Sequence, residues 1–81
     1  MSNNKEEAFL QLINQNQQRI QKICSVYAAN AEDQRDLVQE VILNIWKAFP
    51  SFQGKANINT WLYRIILNVS LKWSTALKKQ K

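Results

Sequence analysis

The run DQRDLVQEVILNIWKAFP, residues 33–50, decides the fold. Within it Leu37, Val38, Val41, Ile42, Ile45, Trp46 and Phe49 recur at i, i+1, i+4 and i+5. That spacing is one stripe of a 3.6-residue helix. The opposite face shows Arg35, Asp36, Gln39, Glu40 and Lys47. Asn30 stands where an N-cap is needed, because its side-chain oxygen can accept an early backbone N–H. Glu32 and Asp33 then fall in the first turn, where the helix dipole favours carboxylates. Pro50 has no N–H and disfavours the helical region in the residue before it, so it closes the segment. The spacing predicts a helix over about residues 31–49.

Working outward toward the N-terminus, Phe9, Ile13, Asn16, Ile20, Ile23 and Tyr27 step by four and three. They predict a single helix over residues 5–28, with Asn16 the one polar member of its stripe and no breaker in the run. AANAE, residues 28–32, reads as a tight connection. Toward the C-terminus, PSFQGKAN, residues 50–57, holds the only Pro and the only Gly and must be a loop. Gly54 can adopt φ > 0 or admit another backbone closely. Phe52 is unusual in a loop and reads as a core plug or a contact surface. A third helix starts near Asn57 or Asn59, with Ile58, Trp61, Leu62, Ile65, Ile66, Val69 and Trp73 as its buried stripe. The expected architecture is all-α, a three-helix bundle with short connections, forming one domain over residues 1–81.

Composition narrows the function classes. The chain of 81 residues has one cysteine and no histidine. A disulfide within the chain and a Cys/His zinc site are therefore excluded, and Cys24 reads as a small buried hydrophobe in a reducing compartment. No run approaches the ~18 apolar residues of a membrane span, and the first residues lack the apolar core of a signal peptide, so a cytoplasmic protein is expected. All six acids lie in residues 1–40 with four bases, a balance of 4 − 6 = −2, whereas residues 41–81 carry seven bases and no acid. Such asymmetry predicts one surface suited to a protein partner and another suited to a polyanion.

Catalysis finds little support. The usual general base, histidine, is absent. Asp36 and Glu40 share a helix face, but no second helix supplies the partner ligands a metal site in a bundle needs, so neither a cofactor nor a metal is expected. Their face reads as a docking surface. The loop and third helix mix bases, aromatics and amides: Phe52, Gln53, Lys55, Asn57, Asn59, Tyr63, Arg64 and Asn68. Positive charge draws phosphates, aromatic faces stack on unpaired bases, and amides read base edges. That mixture suits melted or single-stranded DNA better than intact duplex, with Trp61 and Trp73 assigned to the core.

Taken in order and at matching spacing, Asp36-Leu37-Val38-Gln39-Glu40, Trp46, Phe52-Gln53-Gly54, Thr60-Trp61-Leu62-Tyr63-Arg64-Ile65 and Asn68 closely resemble region 2 of extracytoplasmic-function (ECF) sigma factors. The resemblance spans residues 33–73, and the first helix fits the preceding part of the same domain. It implies that Asp36, Gln39 and Glu40 dock on the coiled coil of the β′ subunit of core RNA polymerase, with Trp46 nearby or in the core. It also implies that Phe52, Gln53, Gly54, Lys55, Ala56, Asn57 and Asn68 form a pocket for a base flipped from the −10 element, on the non-template strand. Tyr63 and Arg64 match the segment that lies beside that strand. An anti-sigma factor is a further candidate partner.

Gln53 and Lys55 depart from the family, which commonly has Arg and an acid there, so the family's base preference does not carry over. The family's second DNA-binding domain, the region 4 helix-turn-helix, is absent from residues 1–81. The chain is accordingly read as part of a longer sigma factor, with a stand-alone competitor of sigma function as the alternative. A helical adaptor that never touches DNA is the rival from another class.

Overall fold

The structure, a computed structural model, describes residues 4–52, 54 and 57–79. Four α-helices follow one another: α1 Asn4–Gln15, α2 Gln17–Tyr27, α3 Ala31–Ala48 and α4 Ile58–Lys79. Among the described residues there is no strand. α2, α3 and α4 pack mutually and form the expected three-helix bundle, and α1 is attached to it.

The helix expected over residues 5–28 is two helices, broken at Asn16. The cause is the polar member of its stripe. The Asn16 side chain is buried, and its Nδ2 donates to the Leu12 carbonyl at 2.8 Å. In a continuous helix that carbonyl would accept from the Asn16 backbone N–H. Displaced, the N–H bonds to Ile13 O at 3.1 Å, and Asn16 takes φ −114°, ψ 14°. The Asn16 carbonyl then accepts from the Ile20 N–H at 2.9 Å and starts α2. This is side-chain competition for backbone partners, which Asn does more readily than most residues. The break lets Phe9, Leu12 and Ile13 of α1 join the core alongside Ile20 and Cys24 of α2.

α3 begins as its sequence predicts. Asn30 is extended, and its Oδ1 accepts from the Asp33 N–H at 2.8 Å. Its buried stripe is Leu37, Val38, Val41 and Ile45. Trp46, expected in that stripe, lies instead at its edge and is 44 % exposed. Nor does the chain leave helical geometry before Pro50. Phe49 keeps φ −56°, ψ −43°, and Phe49–Ser51 form a short 3-10 turn with Pro50 in its first positions, where no N–H is required. Ser51 Oγ donates to Ala48 O at 2.7 Å and satisfies one of the carbonyls that a helix end leaves open.

α4 carries the remaining core, with Leu62 and Ile66 fully buried and Trp61, Ile65, Val69 and Trp73 packed against them. Cys24 and Ser70 are also fully buried. Burial pushes the Cys24 thiol from an ordinary value of 9.0 up to about 11. The Ser70 hydroxyl stands close enough to offset part of that shift, yet makes no hydrogen bond of full geometry among the described residues.

A pH dependence follows. The folded state holds Cys24 neutral, while the unfolded thiol ionises from about pH 9. The contribution is therefore fully present below pH 9 and is lost as pH rises toward 11. It amounts to roughly 2–3 kcal/mol at the top of that window. Chemical denaturation at about pH 8 and about pH 10.5 should show this loss in the natural chain and not in Cys24→Ala. An equal loss in both would sink the assignment.

Candidate polymerase-docking and nucleic-acid interface

Two surfaces hold the residues the sequence singled out. The first is the outer side of α3. Asp36, Gln39 and Glu40 are all exposed there, since the four core residues of α3 occupy the other side. Sequence reasoning left Trp46 either beside this surface or in the core, and missed Leu43 and Leu10. Leu43 is 52 % exposed and Trp46 44 %, and Leu10 of α1 is 51 % exposed. With Glu6, Phe9 and Ile42 they line a shallow hollow of about 200 Å³. Leu43 and Trp46 stand four and seven residues after Gln39, on the same face of the helix, so the spacing already carried the signal.

The second surface is the loop and the start of α4. Gly54 is exposed and has φ +74°. A Cβ there would meet nothing within 4 Å, so the left-handed backbone, rather than crowding, calls for glycine. Phe52 is half-buried, with its ring centroid 4.9 Å from that of Trp61 and tilted by 47°. It combines the two roles the sequence left open, resting on the core while keeping part of its ring outside. Asn57 caps the next helix: its Oδ1 accepts from the Asn59 N–H at 2.8 Å, and its carbonyl from the Trp61 N–H at 3.0 Å. Its Nδ2 makes no hydrogen bond among the described residues, and Oδ1 keeps a second lone pair. Gln53, Lys55 and Ala56, also assigned to this pocket, lie outside the described residues.

Asn59, Tyr63, Arg64 and Asn68 are exposed on α4, but not as one stripe. Neighbouring residues of a helix point about 100° apart. Asn59 and Tyr63, one turn apart, therefore share one flank, and Arg64 with Asn68 share another. Asn68 joins a groove between α4 and α3 that also contains Glu40, Asn44 and Lys72. The structure thus places one residue from each predicted surface, Glu40 and Asn68, along a single groove.

An aromatic ladder runs between the two surfaces. Trp46 meets Phe9 edge-on, with centroids 4.8 Å apart and planes at 64°. Phe9 meets Phe49 at 6.0 Å, Phe49 meets Trp61 at 6.3 Å, and Trp61 meets Phe52. Edge-to-face and tilted contacts at these distances each add about 0.5–1.5 kcal/mol beyond area burial. Through Trp61 and Phe52 the ladder ties the loop to the bundle.

Among the described residues, no group of three or more His, Cys, Asp or Glu is gathered to hold a metal ion, and no helix is long and apolar enough to cross a membrane.

The sigma-70 region 2 family matches residues 12–81. The ECF RNA polymerase sigma factor SigG of Mycobacterium tuberculosis is 41 % identical over 58 residues, covering 72 % of this chain and 15 % of that protein. The ECF RNA polymerase sigma-E factor of Escherichia coli K12 is 32 % identical over 71 residues, covering 88 % of this chain and 37 % of the relative. Its Haemophilus influenzae counterpart is 31 % identical over the same share. The chain therefore spans well under half the length of these relatives. The family match takes in all of α2, α3 and α4, and on that extent the chain belongs to the sigma-70 region 2 family, its similar relatives being ECF sigma factors.

Proposed function

We propose that this chain is the part of an ECF sigma factor that docks on core RNA polymerase and engages the melted −10 promoter element during transcription initiation. Asp36, Gln39 and Glu40 form the polar part of the docking face, toward the coiled coil of the β′ subunit, with Leu43 and Trp46 as its apolar anchors. Protein interfaces combine an aromatic or aliphatic centre with a polar rim in this way. The turn at Gly54 and the exposed side of α4 take the opened non-template strand. A base flipped out of the duplex costs a few kcal/mol of unstacking, which Phe52, Asn57 and Asn68 offset by contact. The basic charge of residues 41–81 supplies the salt-dependent part of that binding.

The observation that supports this reading is that Asp36, Gln39 and Glu40 lie exposed on α3 beside the apolar Leu43 and Trp46, whereas the left-handed glycine and the exposed amides stand on the loop and α4, the two sets meeting at the groove that Glu40 and Asn68 share.

Gly54 provides the test. A β-carbon in the left-handed region costs about 1–2 kcal/mol, and Asn tolerates that region better than Ala. Titration of the chain, alone and bound to core polymerase, with a fluorescent single-stranded −10-type oligonucleotide should show salt-sensitive binding. Gly54→Ala should weaken it about five- to thirtyfold, and Gly54→Asn should recover most of the loss. A titration that is flat at both low and moderate salt, with and without polymerase, would reject DNA engagement and leave a protein-only adaptor.

A further inference from the structure

Two apolar patches on this chain are open to solvent and carry opposite charge. The first is the hollow between α1 and α3, lined by Glu6, Phe9, Leu10, Ile42, Leu43 and Trp46. Its volume of about 200 Å³ lies below the ~300–1,000 Å³ of small-ligand sites, so it suits an inserted side chain better than a small molecule. The second patch is the outer side of α4. Leu71 is 52 % exposed there, and Lys72, Thr75 and Ala76 beside it are exposed as well. Arg64 stands seven residues before Leu71, two turns away on the same side of the helix, and is also exposed.

Glu40 borders both patches, one turn before Leu43 on α3 and across a groove from Lys72. With Glu40 left aside, the charges within one turn of Leu10 and Leu43 are Glu6, Glu7 and Lys47, a balance of 1 − 2 = −1. Farther along α3, Arg35 and Asp36 cancel. Beside Leu71 stand Arg64 and Lys72, a balance of +2, and α4 contains no acid. Pairing either patch with its own kind would bring like charges together, whereas pairing one with the other joins apolar surface and opposite charge.

We infer that the chain associates with a second copy of itself, Leu71 of one copy entering the α1–α3 hollow of the next. Arg64 and Lys72 then lie toward Glu6 and Glu7 of that neighbour. The two patches differ, so the contact is heterologous and each pair leaves one patch free at either end. Association covers Leu43 and Trp46 in one copy and the outer side of α4 in the other. The inference does not rest on the proposed function, and its test contains neither polymerase nor DNA.

A contact this small belongs to the weak, transient class, so sedimentation velocity follows the whole chain from about 10 to about 500 μM. The weight-average mass should rise with concentration past that of two chains, and rise less at about 0.5 M salt. Leu43→Gln and Leu71→Gln should both fold, since both positions are exposed and glutamine suits a helix. Each should weaken association about tenfold. An equimolar mixture of the two keeps one natural hollow and one natural Leu71, so it should regain the natural affinity and stop at two chains. Val26→Gln alters an apolar residue, 74 % exposed, outside both patches and should leave association unchanged. A mass that stays at one chain throughout overturns the inference. So does a mixture that associates no better than either variant alone, or an equal loss in Val26→Gln.

Discussion

Replacing Asp36 and Glu40 together by alanine should lower affinity for core RNA polymerase about 30-fold while leaving the domain folded. Both side chains are exposed, and neither caps a helix. Surface changes of this kind stay within about 0.5 kcal/mol, and alanine suits a helix interior. Among the described residues the double change removes only the long bond from Asn44 Nδ2 to Glu40 Oε2, and the shorter bond to the Glu40 backbone stays in place. At the interface the balance differs. A charge-assisted hydrogen bond contributes about 1.5–3 kcal/mol, and removing one partner leaves the other unpaired. Taking about 1 kcal/mol for each site as a lower figure, the pair amounts to roughly 2 kcal/mol, or about 30-fold. Fluorescence anisotropy with labelled polymerase measures this directly. The natural chain should bind more weakly at about 0.5 M than at about 0.1 M salt, and the double variant should show less of that dependence. Unchanged polymerase affinity in a folded double variant would remove α3 as the docking helix.

How far the sequence reveals this molecule depends on which physical effect decides each part. α3 was legible almost to the residue, because a strong amphipathic stripe, an Asn cap and acids in the first turn all point the same way. The break at Asn16 was not. The residue stood out as the polar member of an apolar stripe, but a stripe of period 3.6 cannot show whether an amide will donate to its own helix. That choice turns on the burial of Phe9 and Ile13, which exists only once α1 can fold back on the bundle. Pro50 misled in a smaller way. Its ring removes a donor, but a 3-10 turn whose first positions need no donor accommodates it, so the chain leaves helical geometry later than expected.

The candidate surfaces were legible by residue type and less so by direction. Asp36, Gln39 and Glu40 lie together, as their spacing implies. Asn59, Tyr63, Arg64 and Asn68 share a chemistry suited to DNA, and the last three also match the family's motif, but the helix sends the two pairs to different flanks. Asn57 also starts α4, its side-chain oxygen accepting from the Asn59 N–H, a role its place before the helix does not by itself reveal. Asn44 drew no notice because an Asn on the polar side of a helix has no distinctive pattern. Its place beside Asn68 and Lys72 arises from how α3 crosses α4, which is a property of the packed bundle.

Phe9→Ala should destabilise the domain by about 3–4 kcal/mol. Phe9 is buried, contacts both Trp46 and Phe49 edge-on, and belongs to the cluster that fixes α1 against α3. Truncating a buried Phe costs about 3–5 kcal/mol through lost transfer energy and the cavity left behind. A domain of 81 residues is expected to have only about 4–12 kcal/mol in total, so the loss is a large fraction of its stability. The melting temperature should fall by at least about 12 °C. The damage should begin locally. α1 joins the bundle through a single-residue break at Asn16, so without its anchor it can separate while α2, α3 and α4 keep their mutual packing. Hydrogen exchange should then lose protection over residues 5–15 before residues 37–45 and 62–70. Trp46 loses the ring that meets it edge-on, and its emission should shift to the red. Because Leu10 and Phe9 line the hollow beside Leu43 and Trp46, polymerase affinity should fall too, and Phe9→Leu should restore part of both properties. Uniform loss of protection across all four helices would show instead that α1 is an inseparable part of the bundle. The docking face would then belong to the whole domain rather than to α3 and a detachable neighbour.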